Sequence, residues 1–416
     1  MSSADALEWI EHDPLASINR IKQERLASGV ELFDMSMINP DMEPARYLID
    51  RLVEATLKTS NHRYAVSRGI RKLRTAFQYK YAKQFAVSLD ADTEICAVMG
   101  TKDALIHTFA AHLRAGDRIL FGAPTYPLYL SSARLANLQC SFFPISADEG
   151  AMISSIAAAI EDKSIRMIVL NFPNNPTGIR VSEFFYLELA RVIGESDIVV
   201  FNDFVYGEMS YNATTLHSSM PCSLLSVEAL RSRSVECYSM SKAYSIPGWR
   251  VGAVVGSSAL IQRLSRLKSH LDYGLPLPIQ HAAAAGLVHD REILMPTLQR
   301  YEARATALVA GLTRQGWQVS VPDGGVCVWA QLPSRYQAET SLEFAQRLLQ
   351  TTGIVLTPGF LYGKAFDHYV RFALVLSQEK IIEVVHRLEG FPALEEVKKI
   401  TLVTQVENYT RNLEVH

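Results

Sequence analysis

No apolar run in this 416-residue chain approaches the ~20 residues that a membrane-spanning helix needs. The amino terminus, Met1-Ser2-Ser3-Ala4-Asp5-Ala6-Leu7-Glu8, is acidic and lacks the apolar core of a secretory signal. No membrane association is expected, and the expected location is the cytoplasm. An excess of charge of one sign is missing as well. The 41 lysines and arginines face 43 aspartates and glutamates, for a formal net charge of −2, and no basic run is dense enough to track a phosphate backbone, so nucleic acid is not an expected partner. Cysteine is scarce and unpatterned. Cys96, Cys140, Cys222, Cys237 and Cys327 are odd in number and form no CxxC pair, which reads as reduced small hydrophobes and excludes a disulfide frame or a zinc site. No HExxH and no His/Cys cluster is present, so no metal is expected. Nucleotide signatures fail too. No GxGxxG follows a candidate strand, and Gly359-Phe360-Leu361-Tyr362-Gly363-Lys364-Ala365 is one residue short of a P-loop and ends in alanine where a magnesium-binding hydroxyl is required.

What is present is the composition of a soluble globular protein, 48% hydrophobic and 20% charged. Single cores stop growing beyond about 250–300 residues, so one large and one smaller domain are expected. From about residue 70 to 290, β-type runs alternate with helical ones, the pattern of an α/β domain with a mostly parallel central sheet covered by helices. The candidate strands are Glu94–Met99, Arg118–Phe121, Ser141–Pro144, Arg166–Asn171, Asp197–Asn202, Ser234–Tyr238 and Arg250–Val255. Thr101–Arg114, Tyr126–Ala136, Met152–Glu161 and Ser182–Ile193 read as crossover helices. A helix-prone region around Arg291–Gln315 leads into the strands Val319–Pro322, Cys327–Leu332, Ile354–Thr357 and Tyr369–Leu374, then a helix near Gln378–Leu388, which together read as a smaller α+β domain. The expected division is 1–45, a segment joining the small domain; 46–290, the large domain; 291–394, the small domain; and 395–416, a tail with no clear partner.

In open α/β sheets, ligands bind beyond the carboxyl ends of the strands, so the loops there carry the functional signal. Lys242, in Ser239-Met240-Ser241-Lys242-Ala243-Tyr244-Ser245-Ile246-Pro247-Gly248-Trp249-Arg250, follows a strand and reads as a covalent anchor for an aldehyde. That chemistry needs an unprotonated amine, which Arg250 would favour by depressing the lysine pKa; taken alone, the two residues read equally well as solvated charges. Gly100-Thr101-Lys102-Asp103 opens a helix whose free N–H groups suit a phosphate, or else is an ordinary turn with Thr101 as N-cap. Tyr126, in Pro124-Thr125-Tyr126-Pro127, offers a ring to stack on a flat heterocycle or belongs to a core turn. Asn171-Phe172-Pro173-Asn174-Asn175-Pro176-Thr177-Gly178 is an irregular loop after a buried strand with amides free for a ligand. Asp203 ends an apolar strand, where an unpaired carboxylate is costly, and Tyr206 follows three residues on; the plain alternative for Asp203 is a helix N-cap.

Taken together with His62-Arg63-Tyr64, Ser67-Arg68-Gly69-Ile70 and Lys268-Ser269-His270-Leu271-Asp272-Tyr273-Gly274, these loops resemble the class I/II, fold type I aminotransferases that use pyridoxal 5′-phosphate (PLP), and within them the alanine aminotransferase-like group. The resemblance runs from about Asp34 to Leu388. It implies that residues 46–290 form the PLP-binding domain. It also implies Lys242 as Schiff-base lysine and proton shuttle, Asp203 on the pyridine nitrogen, Asn175 and Tyr206 on the ring O3′, and Tyr126 stacked on the ring. Thr101, the backbone at Lys102, Ser239 and Arg250 would hold the phosphate. Tyr64 would reach the phosphate of a neighbouring subunit, which implies a homodimer with shared active sites. Arg371, in Tyr369-Val370-Arg371-Phe372-Ala373-Leu374, would grip the substrate carboxylate as a bidentate fork; read without the resemblance, it is an arginine on a strand surface.

The chain departs from the family pattern at Ile38, where relatives usually carry a glycine beside the substrate. An isoleucine there fills substrate space or redirects the backbone, and small amino acids suffer least. Leu275, Pro276 and Leu277 also replace the common threonine, phenylalanine and threonine. The expected function is therefore transfer of the amino group of a small, alanine-like L-amino acid to a 2-oxo acid such as 2-oxoglutarate. The departures motivate an alternative, a lyase, decarboxylase, cyclase or oxidase on the same scaffold. A non-catalytic regulator would need a DNA-binding segment, which the thirty or so residues before the resemblance are too few and insufficiently basic to provide.

Overall fold

The computed structural model of the chain describes residues 14–211 and 222–394. Two compact units are present. Of the described residues, the larger comprises those within Asn39–Ala303 and Pro322–Cys327, and the smaller those up to Ile38, Arg304–Val321 and those from Val328 onward. The boundary thus falls inside the helix Arg291–Arg314. The expected tail, 395–416, lies outside the described residues.

The larger unit is built on a seven-stranded sheet with the order Ile95–Val98, Gly252–Gly256, Ser234–Ser239, Val199–Asp203, Ile165–Leu170, Arg118–Ala123, Gln139–Pro144. Gly252–Gly256 is antiparallel to both of its neighbours, and every other pair is parallel. All the other strands therefore point the same way, and their carboxyl ends share one edge. The seven strands expected from the sequence are found to within two residues at each end. Interior strands such as Ile165–Leu170 were readable because strands covered on both faces are almost continuously apolar. Side chains alternate between the faces with period two. Met167 and Val169 pack on one side with Phe109, Tyr129 and Leu264, while Ile168 and Leu170 pack on the other with Met152, Phe185 and Leu189. The helices Thr101–His112, Pro127–Leu135 and Ser258–Leu271 supply the first layer and Glu149–Ala159 and Glu183–Ile193 the second, and parallel pairing requires crossovers of this kind.

In the smaller unit, a three-stranded sheet runs Thr357–Pro358, Tyr369–Ala373, Cys327–Gln331, with Thr357 opposite Arg371 in an antiparallel pair. Phe33–Asp34 pairs in parallel with Ile354–Val355. The helices Ala16–Ala27 and Ser341–Thr352 meet through Ile18, Ile21, Ala345 and Leu349. Ser341–Thr352 opens with a reciprocal cap: the Thr340 hydroxyl accepts from the Glu343 N–H, and the Glu343 carboxylate accepts from the Thr340 N–H. Two expectations are corrected here. Val319–Pro322 forms no strand, the nearest pairing being a single bridge from Gln318 to Gln331; Pro322 has no N–H to give a ladder. The expected strand Ile354–Thr357 is interrupted at Leu356, so that its two halves join different sheets. No helix among the described residues is long and apolar enough to cross a membrane.

Candidate active site

Loops at the carboxyl edge of the large sheet carry Thr101, Lys102, Tyr126, Asn175, Asp203, Tyr206, Ser239, Lys242 and Arg250; Tyr64 is not among them. After Ile95–Val98 the chain turns through Met99 and Gly100 into the helix Thr101–His112. Gly100, at φ +84°, takes the cap position, so Thr101 is the first helical residue and no side-chain cap is made. A Cβ on Gly100 would collide with the Arg250 guanidinium, so only glycine lets that cation lie against the turn. Arg250 is fixed there by donating to the Met99 carbonyl at 3.2 Å and to the Pro247 carbonyl at 3.1 Å. Lys102 is exposed on the first helical turn. A glycine turn, a helix N-terminus and an adjacent guanidinium are the features that a phosphate site needs.

Asp203 closes its strand and is 3% exposed. Residues 204–211 form no helix, which removes the capping alternative. The Tyr129 hydroxyl donates to its Oδ2 at 2.7 Å, whereas Oδ1 is buried with no hydrogen-bond partner. Burial pushes the carboxyl up to about 7, against the opposing hydrogen bonds from Tyr129 and the Val205 N–H. Tyr129 was not singled out from the sequence. Its signal was its place three residues after Tyr126, one helical turn along. Tyr126 precedes the helix Pro127–Leu135 and sets its ring edge-on to Tyr129, with centroids 5.6 Å apart. Asn171 donates to the Asp203 carbonyl at 2.7 Å and accepts from the Asn175 N–H at 2.8 Å, tying the asparagine loop to the aspartate strand. Tyr206, three residues beyond the strand end, is buried.

Ser239, the last residue of its strand, is buried, and its hydroxyl accepts from the Ser241 N–H at 3.2 Å. That contact starts the turn carrying half-buried Lys242, whose carbonyl accepts from the Ser245 N–H at 3.3 Å. Tyr64 is 83% exposed and lies on Tyr273, with ring centroids 4.5 Å apart. Leu275 is buried, and its carbonyl accepts from Gln280 at 2.6 Å. Among the described residues one group of ligand-type side chains gathers closely, Asp103, His107 and Asp272, and the Lys268 ammonium pairs with both of its carboxylates.

Ile38 and Arg371 belong to the smaller unit. Arg371 is only 6% exposed and so is not a surface arginine. It donates to the Ser36 carbonyl at 2.5 Å and the Thr357 hydroxyl at 3.2 Å, and it lies over the Tyr362 ring. Ile38 is buried and, unlike a glycine under strain, does not take a positive φ.

The larger unit's residues fit PLP. A buried carboxylate oxygen without a donor suits a protonated ring nitrogen, and the Gly100–Arg250 cradle suits the phosphate. Comparison with known proteins agrees. The family described as aminotransferase class I and II matches residues 30–388. The chain is 32% identical over 373 residues to the glutamate-pyruvate aminotransferase AlaC of Escherichia coli, covering 89% of both chains. It is 33% identical over 370 residues to an LL-diaminopimelate aminotransferase of Dehalococcoides mccartyi, covering 88% of this chain and 93% of the relative. The substrate-bound BacF structure from Bacillus subtilis superposes with a TM-score of 0.86 at 28% identity, over 94% of this chain and 97% of that one. Fold, site chemistry and relatives converge on one conclusion: the chain belongs to the class I and II aminotransferases, PLP-dependent enzymes, in their alanine aminotransferase-like group.

Proposed function

We propose that the enzyme takes the amino group from a small, alanine-like L-amino acid and delivers it to a 2-oxo acid such as 2-oxoglutarate. The observation that carries this reading is Ile38, buried at the position where the family resemblance puts a glycine beside the substrate. A branched side chain there leaves room for a methyl group and crowds a long one. The name of the Escherichia coli relative, a glutamate-pyruvate aminotransferase, supports the same choice. PLP, when bound, supplies an aldehyde and an electron-withdrawing ring. The chain's own residues do the rest. Thr101, Lys102 through its backbone, Ser239 and Arg250 bind the phosphate. Asp203 holds a proton at the ring nitrogen through its unpaired Oδ1, and Tyr129 keeps the carboxylate oriented. Asn175 and Tyr206 would orient the ring oxygen, Tyr126 would cover the ring face, and the Lys242 Nζ would move the substrate's Cα proton. Arg371 receives the substrate carboxylate. A homodimer completes the site with Tyr64, for which the exposed Tyr64–Tyr273 pair is the support. The cytoplasmic setting belongs to the same proposal, with five cysteines that form no disulfide in its favour.

The test is the visible spectrum of the holoenzyme mixed with one L-amino acid at a time. Alanine is expected to convert the bound cofactor to its amine form, and 2-oxoglutarate to restore it. Conversion by LL-diaminopimelate with none by alanine would overturn the substrate assignment.

A further inference from the structure

Asp103 presents a physical difficulty. It lies in the first turn of the helix that opens the phosphate cradle, and its Oδ2 accepts from the Met99 N–H at 2.9 Å, so its carboxylate shapes the turn. An anion in that turn also draws on the N-terminal field that a phosphate dianion needs, and the two negative charges repel. A buried cation answers it. Lys268, 165 residues away on the helix Ser258–Leu271, is fully buried with its Nζ 3.3 Å from Asp103 Oδ2 and 2.7 Å from Asp272 Oδ2. Burial opposes the Lys268 charge, but the hydrogen bond it donates to Asp272 and the field of Asp103 outweigh it and hold its pKa above the ordinary value. His107 Nδ1 lies 2.9 Å from the other Asp103 oxygen. Asp272 in turn accepts from the Gly274 N–H at 2.6 Å, which fixes Lys268's second partner.

We infer that Lys268 is a positioning residue for the cofactor phosphate: it offsets the charge of Asp103 while also pairing with Asp272, so that this carboxylate can shape the Met99–Thr101 turn with less repulsion of the phosphate. Lys268 touches no ligand itself and acts through Asp103. The inference rests on the proposed placement of the phosphate at Thr101 and Arg250, and its test separates the two.

Dissociation constants are measured on the cofactor-free protein for PLP and for pyridoxal, which lacks the phosphate, in Lys268→Met, Asp103→Asn, the double variant and Arg250→Ala. Lys268→Met is expected to weaken PLP about tenfold or more while leaving pyridoxal within about twofold. In the Asp103→Asn background, where the charge to be neutralised is gone, the same lysine substitution is expected to cost PLP binding little. Equal losses for PLP and pyridoxal, or the same loss with and without the Asp103 charge, would show a merely structural lysine and overturn the inference. Should Lys268→Met fail to fold, Asp103→Asn alone decides: PLP binding at least as tight as in the unaltered enzyme supports neutralisation, and a tenfold loss refutes it. If Arg250→Ala leaves PLP binding unchanged, the phosphate placement itself is wrong.

Discussion

Asp203 allows a prediction with a definite sign. Its carboxyl is raised from 3.8 to about 7 by burial. A group whose folded pKa exceeds its unfolded one binds more protons folded than unfolded, so its stabilising effect is complete below about pH 4 and is lost as pH rises through 7. Three units correspond to about 4 kcal/mol at full development, with roughly a third of the penalty already present at pH 5. Asp203→Asn removes the ionisation. In the cofactor-free protein, the stability of the variant relative to the unaltered chain is therefore expected to improve by about 2–3 kcal/mol between pH 5 and pH 8. The absolute difference also contains the cost of an amide beside the former Oδ1, but that cost does not vary with pH. Glu236, likewise raised to about 7 by burial, and Glu208, raised by burial, are common to both proteins and cancel in the comparison. Urea unfolding at the two pH values measures the quantity. Adding PLP should flatten the pH dependence of the unaltered protein alone, because the ring nitrogen gives the carboxylate its partner. A stability difference that is the same at pH 5 and pH 8 would refute the assignment of Asp203 as a buried, proton-holding acid.

Lys242→Ala is expected to abolish turnover, the general-base contribution alone being about 10²–10⁴-fold, and borohydride should then fix no cofactor to the protein; covalent fixation elsewhere in the chain would refute the anchor. Replacing Arg371 by lysine, which cannot form a planar fork, should raise KM for every amino-acid substrate alike. An effect confined to one substrate would mean that Arg371 reads a side chain. Ile38→Gly should extend the donor range toward longer amino acids with little loss on alanine, as judged by kcat/KM across a donor series; an unchanged ranking would remove Ile38 from the substrate's surroundings.

Much of the large sheet was legible because its strands are local apolar runs buried on both faces, Ile165–Leu170 being the plainest. The small sheet was less so. Its strands are short, and whether Ile354–Val355 and Thr357–Pro358 form one strand or two depends on partners at Phe33–Asp34 and Tyr369–Ala373 that are remote in sequence. The same limit applied at the site. Lys242, Asp203, Gly100 and Arg250 were conspicuous, since each is a chemically unusual residue in a loop after a strand. Tyr129 looked like an ordinary helical tyrosine until its hydroxyl was found on Asp203, 74 residues away.

The sequence by itself determined the class of chemistry, the order of strands and helices along the chain, and the residue types at the end of each strand, because these follow from short-range pattern and from the functional groups each loop contains. Only the tertiary structure decided which oxygen of Asp203 is held and which is unpaired, that Arg371 is buried, and that the charge of Asp103 is answered by Lys268. Those outcomes depend on which distant side chains packing brings within hydrogen-bonding distance and how completely water is removed around them, and neither quantity is encoded in any local stretch of sequence.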